Sequence, residues 1–374
     1  MKIGLVCPYN MFKGGGVQEC ILAMQAELIK RGYDTYIITP KPRDFTEVQP
    51  EGMILVGTAT DVKSPFHTTA QVSVSVEPDE LDAMLKKHKF DLLHFHEPWV
   101  PIVSRQILIR STAANVATFH AKLPGTVMSR TIERVITPYT NSVLKYLHEL
   151  VAVSDAAAEY VKTLKAPNPL IIPNGIDLDK YLIAEKPRSK QKTILYIGRL
   201  ERRKGLKYLL KAFNLLAKND QDVRLVIAGA GTDRQKLEMY VHENRIPRVE
   251  FKGFISEEEK LELLKTADVF CSPAIFGESF GIVLLEAMAR GCVVVAGDNA
   301  GYRAVLQEKG KLSLVDPKDI TEFSRRLDIM LHDEDLRTLW QKWAYDYVQQ
   351  FSYEKIVDQY EQVYSKALEA KKKV

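Results

Sequence analysis

Apolar runs of strand length alternate along this chain with segments whose apolar residues recur every three to four positions. One set of runs covers residues 3–7, 35–39, 92–95, 116–119 and 150–153, and a second covers 193–197, 224–228, 249–251, 269–272 and 292–296. Helical periodicity fills gaps between them, as at 17–31, 206–218 and 257–266. Short continuous apolar runs suit strands buried on both faces, and strand–helix alternation implies parallel sheets with helices on either side. The pattern occurs twice, and the halves meet near Pro173-Asn174-Gly175, a turn-forming string. The expectation is an α/β protein with two Rossmann-like, doubly wound parallel-sheet domains facing a central cleft. Residues 1–172 form the first domain, 173–350 the second, and 351–374 a final amphipathic helix that frays into Lys371, Lys372 and Lys373.

Composition narrows the class. A chain of 374 residues exceeds what one core serves, and 46% hydrophobic with 27% charged residues fits an ordinary globular protein. A net charge of +4 is slight for a dedicated nucleic-acid binder, so no nucleic-acid partner is expected. Cys7, Cys20, Cys271 and Cys292 lack CxxC spacing, and three lie beside apolar runs. Buried thiols in a reducing cytoplasm fit that better than disulfides or zinc. No stretch approaches the ~20 apolar residues of a membrane span. Met1-Lys2 leads straight into the first strand, with no signal peptide between. A cytoplasmic protein, able to lie on a membrane surface, is expected.

In open parallel sheets ligands bind beyond the carboxyl ends of the strands, and the candidate chemistry falls there. Lys13-Gly14-Gly15-Gly16-Val17-Gln18 follows the first strand and opens a helix. Glycines admit an anion close to backbone N–H groups, and a helix N-terminus favours negative charge. The string is neither GxGxxG nor a Walker sequence, which weakens dinucleotide and ATP readings; a plain turn would seldom need three glycines. In the run 198–205, Arg199 and Lys204 suit a diphosphate clamp that would stabilise a departing nucleoside diphosphate without metal, while Arg202 and Arg203 read as solvated. His120 ends another strand, where an imidazole can bond a substrate, shuttle a proton or serve structure alone. His94 and His96 share a strand face without a third ligand at suitable spacing, which argues against metal. Asp177-Leu178-Asp179 and Asp333-Glu334-Asp335 follow no strand and read as chance DxD strings. Gly229-Ala230-Gly231 suits a nucleotide base pocket.

Glu278 and Glu286 stand eight residues apart. Glu278 opens an apolar segment, and Glu286 lies a little over two helical turns along it. Carboxylates accept hydrogen bonds from sugar hydroxyls, so the pair suits an elongated nucleotide-sugar. The competing account is that an acid at a helix start complements the helix dipole.

Together these strings resemble glycosyltransferase family 4, retaining enzymes of the GT-B fold. The resemblance rests on Gly14-Gly15-Gly16-Val17-Gln18, Ala152-Val153-Ser154, Pro173-Asn174-Gly175-Ile176-Asp177, Gly198-Arg199 with Lys204-Gly205, and Gly277-Glu278-Ser279-Phe280-Gly281 through Glu286-Ala287. Val6-Cys7-Pro8-Tyr9, His94-Phe95-His96-Glu97-Pro98 and Ala117-Thr118-Phe119-His120 further resemble phosphatidylinositol mannosyltransferases, which use GDP-mannose. The residues after Glu-Pro and Thr-Phe-His tend to be polar in those enzymes; here they are Trp99 and Ala121.

The resemblance implies a donor site of Gly15, Gly16, Arg199, Lys204, Gly229, Glu278, Ser279, Phe280, Gly281, Ile282 and Glu286. Within it Gly16 approaches the phosphates, Arg199 and Lys204 hold the diphosphate, Glu278 binds the sugar and Glu286 the ribose. The implied acceptor side is Tyr9, Gln18, Trp99, His120 and Lys122, and the implied catalytic set is His120, Arg199, Lys204 and Glu278. It also implies retention by front-face attack, no metal and no cofactor beyond the GDP-mannose co-substrate. The final helix is expected to cross back to the N-terminal domain. The expected partners are a lipid-linked acceptor and an anionic membrane surface, for a monomer or weak homo-oligomer.

Between 101 and 150, six basic residues (Arg105, Arg110, Lys122, Arg130, Arg134, Lys145) face two acids, Glu133 and Glu149. Such a stretch can lie on anionic lipid, or simply pack an apolar face on the sheet. Two alternatives stand beside this reading. One is a UDP-sugar enzyme acting on a soluble sugar or small-molecule acceptor. The other is a catalytically silent nucleotide-binding protein, which would be expected to lack Glu278 or Lys204; both are present.

Overall fold

A computed structural model describes residues 1–43, 45–63, 69–73, 76–100, 102–122, 127–183, 186 and 191–373. The chain folds into two compact units, one formed by residues 1–175 with 353–374 and the other by 176–352.

Among the described residues, the first unit is built on an eight-stranded sheet of order β4-β3-β2-β1-β5-β6-β7-β8. Its strands are β1 (Lys2–Val6), β2 (Asp34–Lys41), β3 (Met53–Lys63), β4 (Thr69–Ser73), β5 (Leu92–His96), β6 (Ala114–Phe119), β7 (Glu149–Ala152) and β8 (Leu170–Ile171). All pairings are parallel except β3 with β4, an antiparallel departure from the expected parallel sheet. The central strands are the continuous apolar runs of the sequence: Ile3, Leu5, Leu92, Leu93 and Val116 are fully buried. The flank next to β4 is different. Buried and half-buried positions mix along β3, so the period-2 pattern hides a strand that no apolar run announces.

The C-terminal helix, Tyr353–Lys372, belongs to this first unit. Ile356, Tyr360, Val363, Tyr364 and Ala367 recur at helical spacing and join the core that holds Leu5, Met24, Leu92 and Val116. Arg31 fastens the helix from outside. Its guanidinium donates to Asp358 at 2.7 Å, Glu361 at 2.7 Å and the Glu354 carbonyl at 2.7 Å.

The second unit carries six parallel strands of order β11-β10-β9-β12-β13-β14 among the described residues. They are β9 (Lys192–Ile197), β10 (Val223–Ala228), β11 (Val249–Gly253), β12 (Val269–Ser272), β13 (Val293–Gly297) and β14 (Leu314–Val315). Helix Leu206–Asn219 buries Leu206, Leu209, Leu210, Phe213 and Leu216, one face of a 3.6-residue repeat. Because every strand is parallel, the loops after β9, β10 and β12 emerge side by side at one sheet end.

If the C-terminal helix is integral to the first unit, Ile356→Ala should cost about 2–5 kcal/mol through the cavity it leaves. Urea unfolding measures this, and a loss below about 0.5 kcal/mol would show that the helix is not part of that core.

Candidate active site

The loop after β12 runs through Pro273 to Gly281, and the helix that follows is Ile282–Ala289. Glu278 therefore lies in the loop, four residues ahead of the helix, and the two carboxylates do not share one continuous helical segment. The helix has no acid in its first turn, so the dipole account does not explain Glu278. The signal for the boundary was Gly281. It sits at φ +112°, where a Cβ would meet the Tyr302 ring at 2.7 Å.

Glu278 has only 11% of its side chain exposed and is held by two cations. Its Oε1 accepts from Arg203 Nη1 at 2.8 Å and from Lys204 Nζ at 2.9 Å. Arg203 also donates to the Gly277 carbonyl at 3.2 Å and, through Nε, to Glu201 at 3.1 Å. This corrects the reading of Arg203 as solvated: the side chain is 18% exposed, whereas Arg202 is indeed exposed. Arg199 is half out in solvent at 51% and pairs with the other oxygen of Glu201 at 3.1 Å. So the structure brings Lys204 and Glu278 into direct contact and ties Arg199 to them through Glu201 and Arg203.

Glu286 lies buried in the middle of its helix. Its Oε1 accepts from Tyr181 at 2.9 Å and from Lys260 at 2.8 Å, two partners that nothing in the local sequence announced. Burial pushes the Tyr181 hydroxyl far up, and the charges of Glu286 and Glu257 add to it. Burial works against ionising Glu257, but hydrogen bonds from Lys180 and Tyr181 and the Lys260 charge bring its carboxyl down to about 2. Gly229, at φ +136°, is demanded by packing: a Cβ would stand 1.9 Å from the Gly198 carbonyl oxygen. The Phe280 ring is in the core, edge-on to Phe351 at 6.1 Å, which leaves its backbone to meet any ligand. Ser279 and Ile282 are half-buried beside it.

Both DxD strings have local jobs. Asp177 accepts the Lys180 N–H at 3.1 Å and Asp333 the Leu336 N–H at 2.9 Å, each capping a helix.

In the first unit the candidate residues follow β1, β5 and β6, three neighbours in the sheet. Gly15 precedes helix Gly16–Lys30 in an extended conformation and packs against Gln18, whose Nε2 donates to the Asn10 carbonyl at 3.4 Å. Tyr9 is half-buried after β1, its hydroxyl pushed well up by burial and then by the Glu97 charge. Lys122 pairs with Glu159 at 2.9 Å.

Glu97 carries more than its place in a motif suggested. It is buried at φ +53°, and its Oε1 accepts the backbone N–H groups of His120 and Ala121, each at 2.5 Å. Trp99 donates its indole N–H to the other oxygen. Burial lifts the Glu97 carboxyl to about 7 against those three donors. His120 and His96 meet through Nε2 and Nδ1 at 2.9 Å, and the rings of His94 and His96 stack at 4.3 Å. His94 spends both nitrogens on Tyr364 (2.9 Å) and Thr118 (2.7 Å). The expected shared face of His94 and His96 is present, with His120 as a third ring. Among the described residues, no group of three or more His, Cys, Asp or Glu is placed to hold a metal. Burial lowers His94 to about 3 and His120 to about 4, and carries His96 down as well. The four cysteines are buried and free, with burial lifting Cys7 and Cys20 to about 12.

Two α/β units with charged or titratable clusters at the strand ends have the architecture of the GT-B fold. Sucrose-phosphate synthase from Thermosynechococcus elongatus shares the fold at TM-score 0.78 and 21% identity, over 99% of both chains. HepE of Anabaena, solved with UDP-glucose, matches at TM-score 0.70 and 18% identity, over 98% of this chain and 99% of HepE. A family model described as Glycosyltransferase Family 4 matches residues 14–180, and one described as Glycosyl transferases group 1 matches 179–347. The phosphatidyl-myo-inositol mannosyltransferase of Mycobacterium leprae is 31% identical across 97% of this chain and 96% of its own length. The chain belongs to glycosyltransferase family 4.

The buried imidazoles predict acid lability. Each is held below its ordinary value, so the unfolded chain takes up protons first, and stability is full above about 6.5 and lost as pH falls towards about 4 and about 3. Glu97 has the opposite sign: its raised carboxyl favours the folded state below 4.5, and that contribution is lost as pH rises to about 7. Three rings outweigh one carboxyl, so the thermal midpoint should fall between about pH 7 and pH 5. His94→Gln should flatten that slope; a midpoint that rises on acidification would contradict the assignment.

Proposed function

We propose that this glycosyltransferase transfers mannose from GDP-mannose to a phosphatidylinositol-type lipid on the cytoplasmic membrane face, with retention and without a metal. The observation that carries the chemistry is the contact between Lys204 and Glu278 at the ends of β9 and β12, an ammonium suited to phosphate touching a carboxylate suited to sugar hydroxyls. The transferred sugar and the acceptor class are supported by the relationship to the phosphatidyl-myo-inositol mannosyltransferases.

In this reading Arg199 and Lys204 take the diphosphate, Gly15 and Gly16 offer backbone N–H groups suited to phosphate, Glu278 orients the mannose and Glu286 takes the ribose. Ser279, Gly281 and Ile282, with the Phe280 backbone and Gly229, complete the donor site. The acceptor hydroxyl attacks the anomeric carbon on the face from which the phosphate leaves. The C–O bond to the β-phosphate breaks, its electron pair stays on the diphosphate, and a phosphate oxygen takes the hydroxyl proton. Cations fixed beside the leaving group favour that charge in the transition state. Tyr9, Gln18, Trp99, His120 and Lys122 form the acceptor side, and His120, neutral at ordinary pH, serves there as a hydrogen-bond partner.

Among the described residues no helix is long and apolar enough to cross a membrane. Arg105, Arg134 and Lys145 are exposed and support docking on anionic lipid. Arg110 and Lys122 are already paired, with Asp82 and Glu159; the Arg130 and Glu133 side chains lie outside the described residues.

Incubation with GDP-mannose and phosphatidylinositol vesicles should give a mannolipid, read by product mass; absence of glycolipid with every nucleotide-sugar tried would refute the reading. UDP-sugars giving the only product would move it to the alternative donor. Glu278→Ala should lower turnover by about 10²-fold or more without weakening GDP binding. EDTA should leave activity intact, and inhibition reversed by manganese would return the DxD strings to consideration.

A further inference from the structure

Glu278 is anchored twice, by residues adjacent in sequence but unlike in their other bonds. Arg203 is tied to both loops. Nη1 reaches Glu278 and the Gly277 carbonyl, Nε reaches Glu201, and the Arg203 carbonyl accepts the Ile275 N–H at 2.9 Å. Lys204 presents one ammonium on a flexible stem to the same carboxylate oxygen, at 2.9 Å. Immediately after it, Gly205 lies at φ +72°, and a Cβ there would stand 2.0 Å from the Pro273 carbonyl oxygen. The backbone beneath Lys204 is thus fixed against the end of β12, and its side chain is the part that can turn elsewhere.

A shielded carboxylate stripped of every cation is strongly disfavoured, so Lys204 can leave Glu278 only if another cation stays. We infer that Arg203 is a positioning residue that holds Glu278 in place while Lys204 exchanges the carboxylate for the phosphate of an arriving nucleotide. The inference deepens the proposed function and rests on its assignment of Lys204 to the diphosphate. It makes donor capture an exchange of partners, in which Glu278 is left oriented by Arg203 to receive sugar hydroxyls. It also gives Glu201 a place: it pairs with Arg203 at 3.1 Å and Arg199 at 3.1 Å, keeping the brace and the outer arginine in register.

The consequence is a coupling that a merely structural arginine would not show. Without Arg203, Lys204 is the remaining cation on Glu278 and is retained there, so nucleoside diphosphate binding weakens. Neutralising Glu278 then releases Lys204 and restores binding. The experiment is calorimetric titration of GDP, with UDP as a second probe, into the full-length wild type, Arg203→Gln, Arg203→Lys, Glu278→Gln, Lys204→Ala and the Arg203→Gln/Glu278→Gln double variant. Arg203→Gln should weaken binding about tenfold or more, and the double variant should return to within about threefold of wild type. Arg203→Lys should fall between, and provides the same comparison in the Glu278→Gln background if Arg203→Gln fails to fold. A double variant as weak as the single one overturns the inference, since Arg203 would then contact phosphate itself or only shape the loop. Wild-type affinity in Arg203→Gln with weak binding in Lys204→Ala overturns the inference alone. Wild-type affinity for both nucleotides in Lys204→Ala overturns the assignment of Lys204 and the inference together.

Discussion

Glu278 is only 11% exposed and is met by two cations, and the loops after β9 and β12 are organised around that pairing. The backbone brings the parts together. Gly205 admits the Pro273 carbonyl, and a Cβ at Gly301 would stand 2.3 Å from the Glu278 carbonyl oxygen, so the acidic loop is pressed between two close backbone approaches. Only then do Arg203 and Lys204 fall within 3 Å of the same oxygen. Such an ion-pair cluster is weak grounds for stability, because desolvation offsets most of what Coulomb attraction returns. Its worth lies in orientation: a carboxylate with a defined direction can distinguish one arrangement of hydroxyls from another.

The first unit solves a different problem, keeping titratable groups uncharged or quiet beside a strand-end site. Three imidazoles are buried in a row, and burial keeps them neutral at ordinary pH. The far end of the chain supplies part of their hydrogen bonding: Tyr364 meets His94 at 2.9 Å, and Tyr360 meets Thr118, itself bonded to His94, at 3.1 Å. The C-terminal helix therefore does more than cover apolar surface: its tyrosines hydrogen-bond His94 and the Thr118 that shares it. Glu97 fixes the backbone of His120 from the other side, with two N–H groups converging on one oxygen. A hydrogen-bonding His120, with its backbone clamped and its ring neutral, is the outcome.

Much of this was legible in the sequence, and the failures have physical causes. Central parallel strands announced themselves because burial on both faces demands unbroken apolar runs, as in Ile3 to Val6 and Val293 to Ala296. β4 at the sheet edge and β3 beside it did not, because a half-buried strand mixes polar and apolar residues. Glu278 and Lys204 stood out by position after strands, yet their contact joins residues far apart in the chain and no local pattern encodes it. Gly281 between Phe280 and Ile282 did encode the true helix start, but the apolar residues on either side masked it. Arg202 and Arg203 are chemically identical neighbours. One points to solvent and the other into a cluster whose partner is 75 residues away.

The order of the two basic residues is itself informative. On a tight three-residue turn, successive side chains diverge, yet Arg203 and Lys204 both end on Glu278. A guanidinium offers five donors in a rigid fork and can keep a carboxylate, a carbonyl and a second carboxylate at once. An ammonium is a compact charge that loses little geometric specificity when it changes partner. Interchanging them would put the movable charge where the brace is needed and the fork where exchange is needed, although net charge would be unchanged. A charge count therefore cannot describe this site; what matters is which cation is tethered.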